Sequence, residues 1–101
     1  MSSILRKKDA AESFTWSDGR FDRVSLSNEG RELTIDFTDY CSNRFHFTFF
    51  GVDQFVRADP VYCIRSSHST DAGKKKLELY DDDGVVVSFR YDTVQQHEAA
   101  A

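Results

Sequence analysis

Three stretches of this chain carry an apolar side chain at every second position, and that period constrains the fold more than any other feature. Successive side chains of an extended strand point to opposite faces of a sheet. In residues 31–40, Leu33, Ile35 and Phe37 alternate with Glu32, Thr34, Asp36 and Thr38. In residues 43–50, Phe45, Phe47 and Phe49 alternate with Arg44, His46 and Thr48. In residues 85–91, Val85, Val87, Phe89 and Tyr91 alternate with Val86, Ser88 and Arg90. One oily and one wet face is the signature of antiparallel sheets, because parallel strands are covered on both sides and read as continuous apolar runs. Shorter pairs extend the pattern: Phe14 with Trp16, Val24 with Leu26, Val61 with Cys63 or Tyr62 with Ile64, and Leu77 with Leu79.

The pattern predicts a mainly β fold of about seven mostly antiparallel strands. If their oily faces meet, the result is a sandwich or a partly closed barrel, since one flat sheet would leave large apolar patches wet. Turn chemistry separates the strands: Asp18-Gly19 and Asp83-Gly84 offer positive φ, and Asn28-Glu29-Gly30 a short loop. The clearest hairpin pairs residues 75–80 with 85–91 across Asp81, Asp82, Asp83 and Gly84, and a second pairs the Leu33 and Phe45 strands across residues 39–42. Short helical segments are expected at the N-terminus, over residues 4–12, and near residues 52–58, where Val52, Phe55 and Val56 fall at helical spacing ahead of Pro60. Residues 66–76 are polar and read as an exposed loop. The chain thus divides into an N-terminal arm or short helix (1–12), one β-rich domain (13–94) and a flexible C-terminal tail (95–101), and its 101 residues suit a single core.

The formal charge is −4, but Arg6, Lys7 and Lys8 supply three of the 13 basic residues, so the rest of the chain sets 10 bases against 17 acids, or −7. A body of that sign repels phosphate backbones, which argues against nucleic acid as a partner and for a basic protein surface, although the same charge also serves solubility. No apolar run is long enough to cross a membrane, and none follows the basic residues as in an export signal, so the expected compartment is the cytoplasm. There Cys41 and Cys63, too far apart for a paired-cysteine metal or redox motif, are expected to be reduced fillers, while a bridge between them stays open.

Candidate chemistry is sparse. His46, His68 and His97 have no spacing that would put two imidazoles on one ion, and no cofactor motif is present. Ser66, Ser67 and Ser69 around His68 lack the flanking glycines and strand-to-helix step of a nucleophile elbow. Asp81, Asp82 and Asp83 lack the further spaced ligands of a calcium loop, and Lys74, Lys75 and Lys76 read as a solvated guard on a strand edge. No catalytic residues and no enzyme activity are therefore expected.

Trp16-Ser17-Asp18-Gly19-Arg20 leading into a strand, then Leu33-Thr34-Ile35-Asp36-Phe37, then Phe47-Thr48-Phe49-Phe50-Gly51-Val52 with Phe55 following, resemble small β-rich bacterial immunity proteins of polymorphic or contact-dependent toxin systems. The resemblance implies a non-enzymatic, protein-binding inhibitor that neutralises a cognate toxin domain, and a basic nuclease would be attracted to an acidic body. Such families diverge at the binding surface, so contacts are chosen on chemistry: Asp36, Asp81, Asp82 and Asp83 as exposed acids, with Tyr40 as an aromatic anchor. Two alternatives stay open. One is a small-ligand-binding β domain with a Phe-lined cavity entered near Tyr62 or Tyr91, and the other is a homodimeric scaffold paired through edge strands.

Overall fold

The computed structural model describes residues 8–27 and 29–98. Among them a short helix, α1 (Ala10–Ser13), precedes nine strands: β1 (Gly19–Ser27), β2 (Glu32–Thr38), β3 (Arg44–Phe50), β4 (Asp53–Arg57), β5 (Tyr62–Cys63), β6 (Arg65–Asp71), β7 (Lys74–Asp81), β8 (Gly84–Tyr91) and β9 (Thr93–Glu98). They form two antiparallel sheets, one ordered β5-β1-β2-β3-β9 and the other β4-β8-β7-β6, in a sandwich-like arrangement rather than a closed barrel.

The alternating segments form the centre of both sheets. Leu33, Ile35 and Phe37 of β2 lie opposite Phe49, Phe47 and Phe45 of β3. Leu77 and Leu79 of β7 lie opposite Phe89 and Val87 of β8. All of these except the half-buried Phe45 are fully buried. Both expected hairpins are present, across residues 39–42 and across Asp82 and Asp83. Where alternation fails, a bulge is responsible: Leu79 pairs with Val87 but Tyr80 with Val85, so Val86, expected on the wet face, is buried beside Val87.

Trp16 is not in a strand. The segment after α1 carries Phe14 and Trp16 onto the inner face of the first sheet, where Trp16 is 1% exposed. Its ring lies 4.9 Å from Phe37 and 4.8 Å from Phe47, Phe14 meets Phe45 at 5.0 Å, and the indole Nε1–H donates to the Ala11 carbonyl at 3.0 Å. Phe49 is met from the other sheet by Phe89 at 4.7 Å and Tyr91 at 4.9 Å. The expected alternation of Phe14 with Trp16 thus comes from a core-filling strap. Gly19 follows from this packing: its φ is ordinary while Asp18 takes the left-handed turn, and a Cβ at Gly19 would stand 2.3 Å from the Phe37 ring.

Three further expectations are corrected, and a fourth is met in part. Residues 52–58 are not helical: β4 pairs with β8, and a bulge between Asp53 and Val56, with Gln54 at φ 50°, breaks the period of two and leaves a spacing that mimics a helix. Residues 66–76 are not a loop: β6 pairs with β7 through a tight turn at Ala72 and Gly73, and its polarity reflects an edge position. Residues 95–98 are not a loose tail: β9 pairs with β3 along its length, anchored by Val94 packed against the core. Of the expected N-terminal helix only α1 falls within the described residues, one turn centred on Ala11.

Lys75 and His68 also depart from their expected solvated positions. Lys75 shares a strand face with Tyr91 and reaches α1, where its Nζ lies 2.8 Å from Asp9 and 3.3 Å from Glu12. Asp9 caps the helix by accepting from the Glu12 N–H at 2.8 Å, and accepts from the Tyr91 hydroxyl at 2.8 Å. Half-buried His68, whose imidazole is held below its usual pKa by burial, lies within electrostatic reach of Asp9 and Glu12. Lys74 donates to the Gly51 carbonyl and lies 3.6 Å from Asp92, beside the two bends where β3 and β8 leave their sheets. Lys74 and Lys75 thus fasten the start of β7 to the bend after β3 and to α1, while Cys41 is exposed, Cys63 is buried, and both are free.

Two measurements check this arrangement. Trp16→Ala or Phe47→Ala should cost about 3–5 kcal/mol in denaturant unfolding, and the emission of the single Trp should shift to the red in the same transition. Burial alone would raise the Asp9 pKa, but Lys75, the Glu12 N–H and the Tyr91 hydroxyl together hold it below its ordinary value of 3.8. The stability it contributes is therefore complete above that value and lost as pH falls through the lower folded one. Asp9→Asn should lower stability by about 1–3 kcal/mol at neutral pH, and the difference from wild type should shrink in acid.

Candidate functional site

Two hairpin turns and the short edge strand β5 of the first sheet converge at one end of the molecule. In the β2–β3 turn the Asp39 carboxylate accepts from the N–H groups of Cys41 at 3.0 Å and Asn43 at 2.9 Å, while Ser42 takes the left-handed conformation. This turn presents Tyr40 outward, 63% exposed. In the β7–β8 turn the Asp81 carboxylate accepts from the Asp83 N–H at 2.7 Å, which leaves Asp82 and Asp83 in solvent.

Tyr62 of β5 joins the two turns. Its hydroxyl donates to Asp82 Oδ2 at 2.7 Å, and its ring lines a shallow depression of about 300 Å³ with Asp18, Arg20, Asp39 and Tyr40. The hydrogen bond to the Asp82 carboxylate holds the Tyr62 phenol above its usual pKa, with the nearby Asp81 charge adding to the effect. The neighbouring Cys41 thiol and Asp39 do the same for Tyr40. Arg20 is the basic residue in this lining, and its charge is partly answered by Asp22 at 3.2 Å.

An apolar margin borders the acids. Val61 is 65% exposed and Tyr62 and Ile64 are close to two-fifths exposed, because the chain bends at Ile64 where it passes from β5 in one sheet to β6 in the other. Ile64 donates its N–H to the Tyr80 carbonyl, and Tyr80 pairs with the exposed Val85 across β7 and β8. The guanidinium of Arg65 lies 3.8 Å from the centre of the Tyr80 ring on the same sheet.

Of the contacts chosen from sequence, Tyr40, Asp81, Asp82 and Asp83 come together here, and Asp36 does not. Asp36 sits on the outer face of the first sheet between Arg23 and His46, with its Oδ1 2.6 Å from His46 Nδ1, and lines a separate depression with Asp22, Arg44 and Phe45. Tyr62, Val61, Ile64 and Val85 were missed. The signal for Val61, Tyr62 and Ile64 is the ambiguity at residues 61–64, where either phase of alternation is open and the bend at Ile64 exposes members of both, whereas Val85, expected on the oily face, is exposed because the bulge beside Tyr80 shifts the phase. Ser66 lies 3.3 Å from His68 Nε2, but the two are neighbours on one face of a strand, half-buried beside α1.

No family model, curated protein or solved structure matches this chain. The chemistry of its surface is what bears on function. That surface combines carboxylates on hydrogen-bonded turns with tyrosines and short aliphatic side chains, a composition suited to protein contact, where an aromatic anchor and an apolar centre are ringed by charge.

The Tyr62–Asp82 bond is open to direct test. Wild-type protein should show a tyrosine ionising above the ordinary value of 10.0 in ultraviolet titration, and Asp82→Asn should bring it down. Because the bond is exposed, either Asp82→Asn or Tyr62→Phe should leave the unfolding midpoint close to that of wild type.

Proposed function

We propose that this chain is a non-enzymatic protein-binding module that takes a basic partner on its Tyr40–Tyr62–Asp82 end, and that it serves as an immunity protein neutralising a cognate nuclease toxin. One observation carries the reading: Tyr62, an exposed aromatic on the edge strand, is bonded to the densest acidic turn of the chain and shares a depression with Tyr40. The anchor and the charge thus occupy one surface. Nuclease clefts are basic because they bind phosphates, so an acidic face with fixed carboxylates is attracted to them and competes with the substrate. The two hairpin turns hold those carboxylates in place before binding, which lowers the ordering cost.

The aromatic core disfavours the small-ligand alternative. Phe37, Phe47, Phe49 and Phe89 are fully buried against one another, Trp16 and Tyr91, and Tyr91 is 1% exposed with its hydroxyl on Asp9. Asp36 drops out of the contact set, since His46 engages its carboxylate away from this end.

In cells that express a nuclease toxin domain taken from a neighbouring gene, co-expression of the wild-type chain should restore growth. Asp82→Lys combined with Asp83→Lys should slow association with that domain roughly 10-fold at low salt, with a smaller effect at high salt. Tyr62→Ala should weaken the complex by about 2 kcal/mol through faster dissociation. Unchanged binding by both variants, with native melting curves, would remove the proposed surface.

A further inference from the structure

The outer face of the first sheet carries a row that the protein-contact surface does not use. Asp36 of β2, His46 of β3 and His97 of β9 are consecutive cross-strand partners, Asp36 facing His46 and His46 facing His97. The two imidazoles have ring centres 6.4 Å apart. From sequence these histidines are 51 positions apart and look unrelated, and only the pairing of β9 with β3 brings them together.

We infer that His46 and His97 form a surface site for a borderline divalent transition metal ion of the Zn2+, Ni2+ and Cu2+ class, with Asp36 as its positioning residue. Directly opposed residues on an antiparallel pair have Cβ atoms about 4.5–5.5 Å apart. From that base two imidazoles reach a shared ion at metal–nitrogen distances of about 2.0–2.1 Å by side-chain adjustment, and the His46 side chain, held on Asp36, is 40% exposed. Asp36 gives the pair its chemical bias. Its carboxylate is 2.6 Å from Nδ1 of His46, which places the proton on that nitrogen and leaves Nε2 as the lone-pair donor. The hydroxyl of Thr48 already lies 3.3 Å from Nε2, so a polar partner in that direction is accommodated.

Among the described residues no group of three or more His, Cys, Asp or Glu converges on one point. The ion therefore takes two imidazoles from the protein and fills its other positions with water. Such an open site binds weakly, favours nitrogen-seeking ions over Mg2+ and Ca2+, and ranks them with Cu2+ first. It lies on the edge strand β9, away from Tyr62 and Asp82, so its success or failure is independent of the toxin-binding proposal.

Titration of untagged, full-length protein with ZnCl2, NiCl2 and CuCl2, followed by calorimetry and by the imidazole proton resonances, tests the assignment. One ion per chain should bind, with Cu2+ tightest. The His46 and His97 signals should respond together, and the His68 signals should not. His97→Ala and His46→Ala should each weaken binding at least 10-fold, and Asp36→Asn should weaken it by about 10-fold without changing the stoichiometry. Because His46 and His97 lie on the outer face, melting temperature in the absence of metal should stay close to wild type. Absence of saturable binding, or binding that survives His97→Ala, would overturn the site.

Discussion

The fold depends on an aromatic layer on the inner face of the first sheet, which neither sheet covers alone. Phe37 and Phe47 project inward from neighbouring strands, and Trp16 closes over them from a segment that belongs to no strand. The indole is anchored twice, through its ring and through its Nε1–H to Ala11. That bond fixes where α1 ends, and α1 in turn places Asp9 and Glu12 on Lys75 and Tyr91 of the second sheet. One buried side chain thus couples the N-terminal strap to both sheets. Its loss would open a cavity and also release the strap's ion pairs.

The sheets are tied by chain segments that leave one and enter the other, at Gly51 and Val52, over residues 58–61 where the Ala58 N–H bonds the Val86 carbonyl, at Ile64 and at Asp92. Each crossing has its own fastening. The Asp92 N–H bonds the Phe50 carbonyl, Lys74 bonds the Gly51 carbonyl, and the Ile64 N–H bonds the Tyr80 carbonyl. Gly51 is left-handed at φ 70°, and a Cβ there would collide with the Asp92 carboxylate. Two of these crossings also shape the surfaces proposed for binding. The bend at Ile64 turns Tyr62 and Val61 outward beside the acidic turn, and the crossing at Asp92 delivers β9, with His97, to the edge of the first sheet.

Most of the proposed contact surface was visible in the chain before the fold was known. Asp81, Asp82 and Asp83 precede a glycine and Tyr40 lies between two strands, both local signals of an exposed turn. Tyr62 was harder to assign because one strand there becomes two, and alternation cannot register a bend. Asp36 was chosen for its place on a wet face, but facing water does not leave a carboxylate unengaged when a histidine sits on the next strand. The polar character of residues 66–76 misled in the same manner: an edge strand beside a charged helix end can be polar on both faces and still be paired.

Sequence alone determined the class of this fold, because the period of two is a local property of extended backbone and three central strands display it over several residues. It also determined the two main hairpins, whose turns lie next to the strands they join. Strand number, the departures at Val86 and Gln54, the inward course of Trp16 and the meeting of His46 with His97 were decided by tertiary structure. Each of those depends on which distant segment lies alongside. A bulge, an edge pairing or a strap has no period of its own, and its energy comes from neighbours that the chain brings together only when it folds.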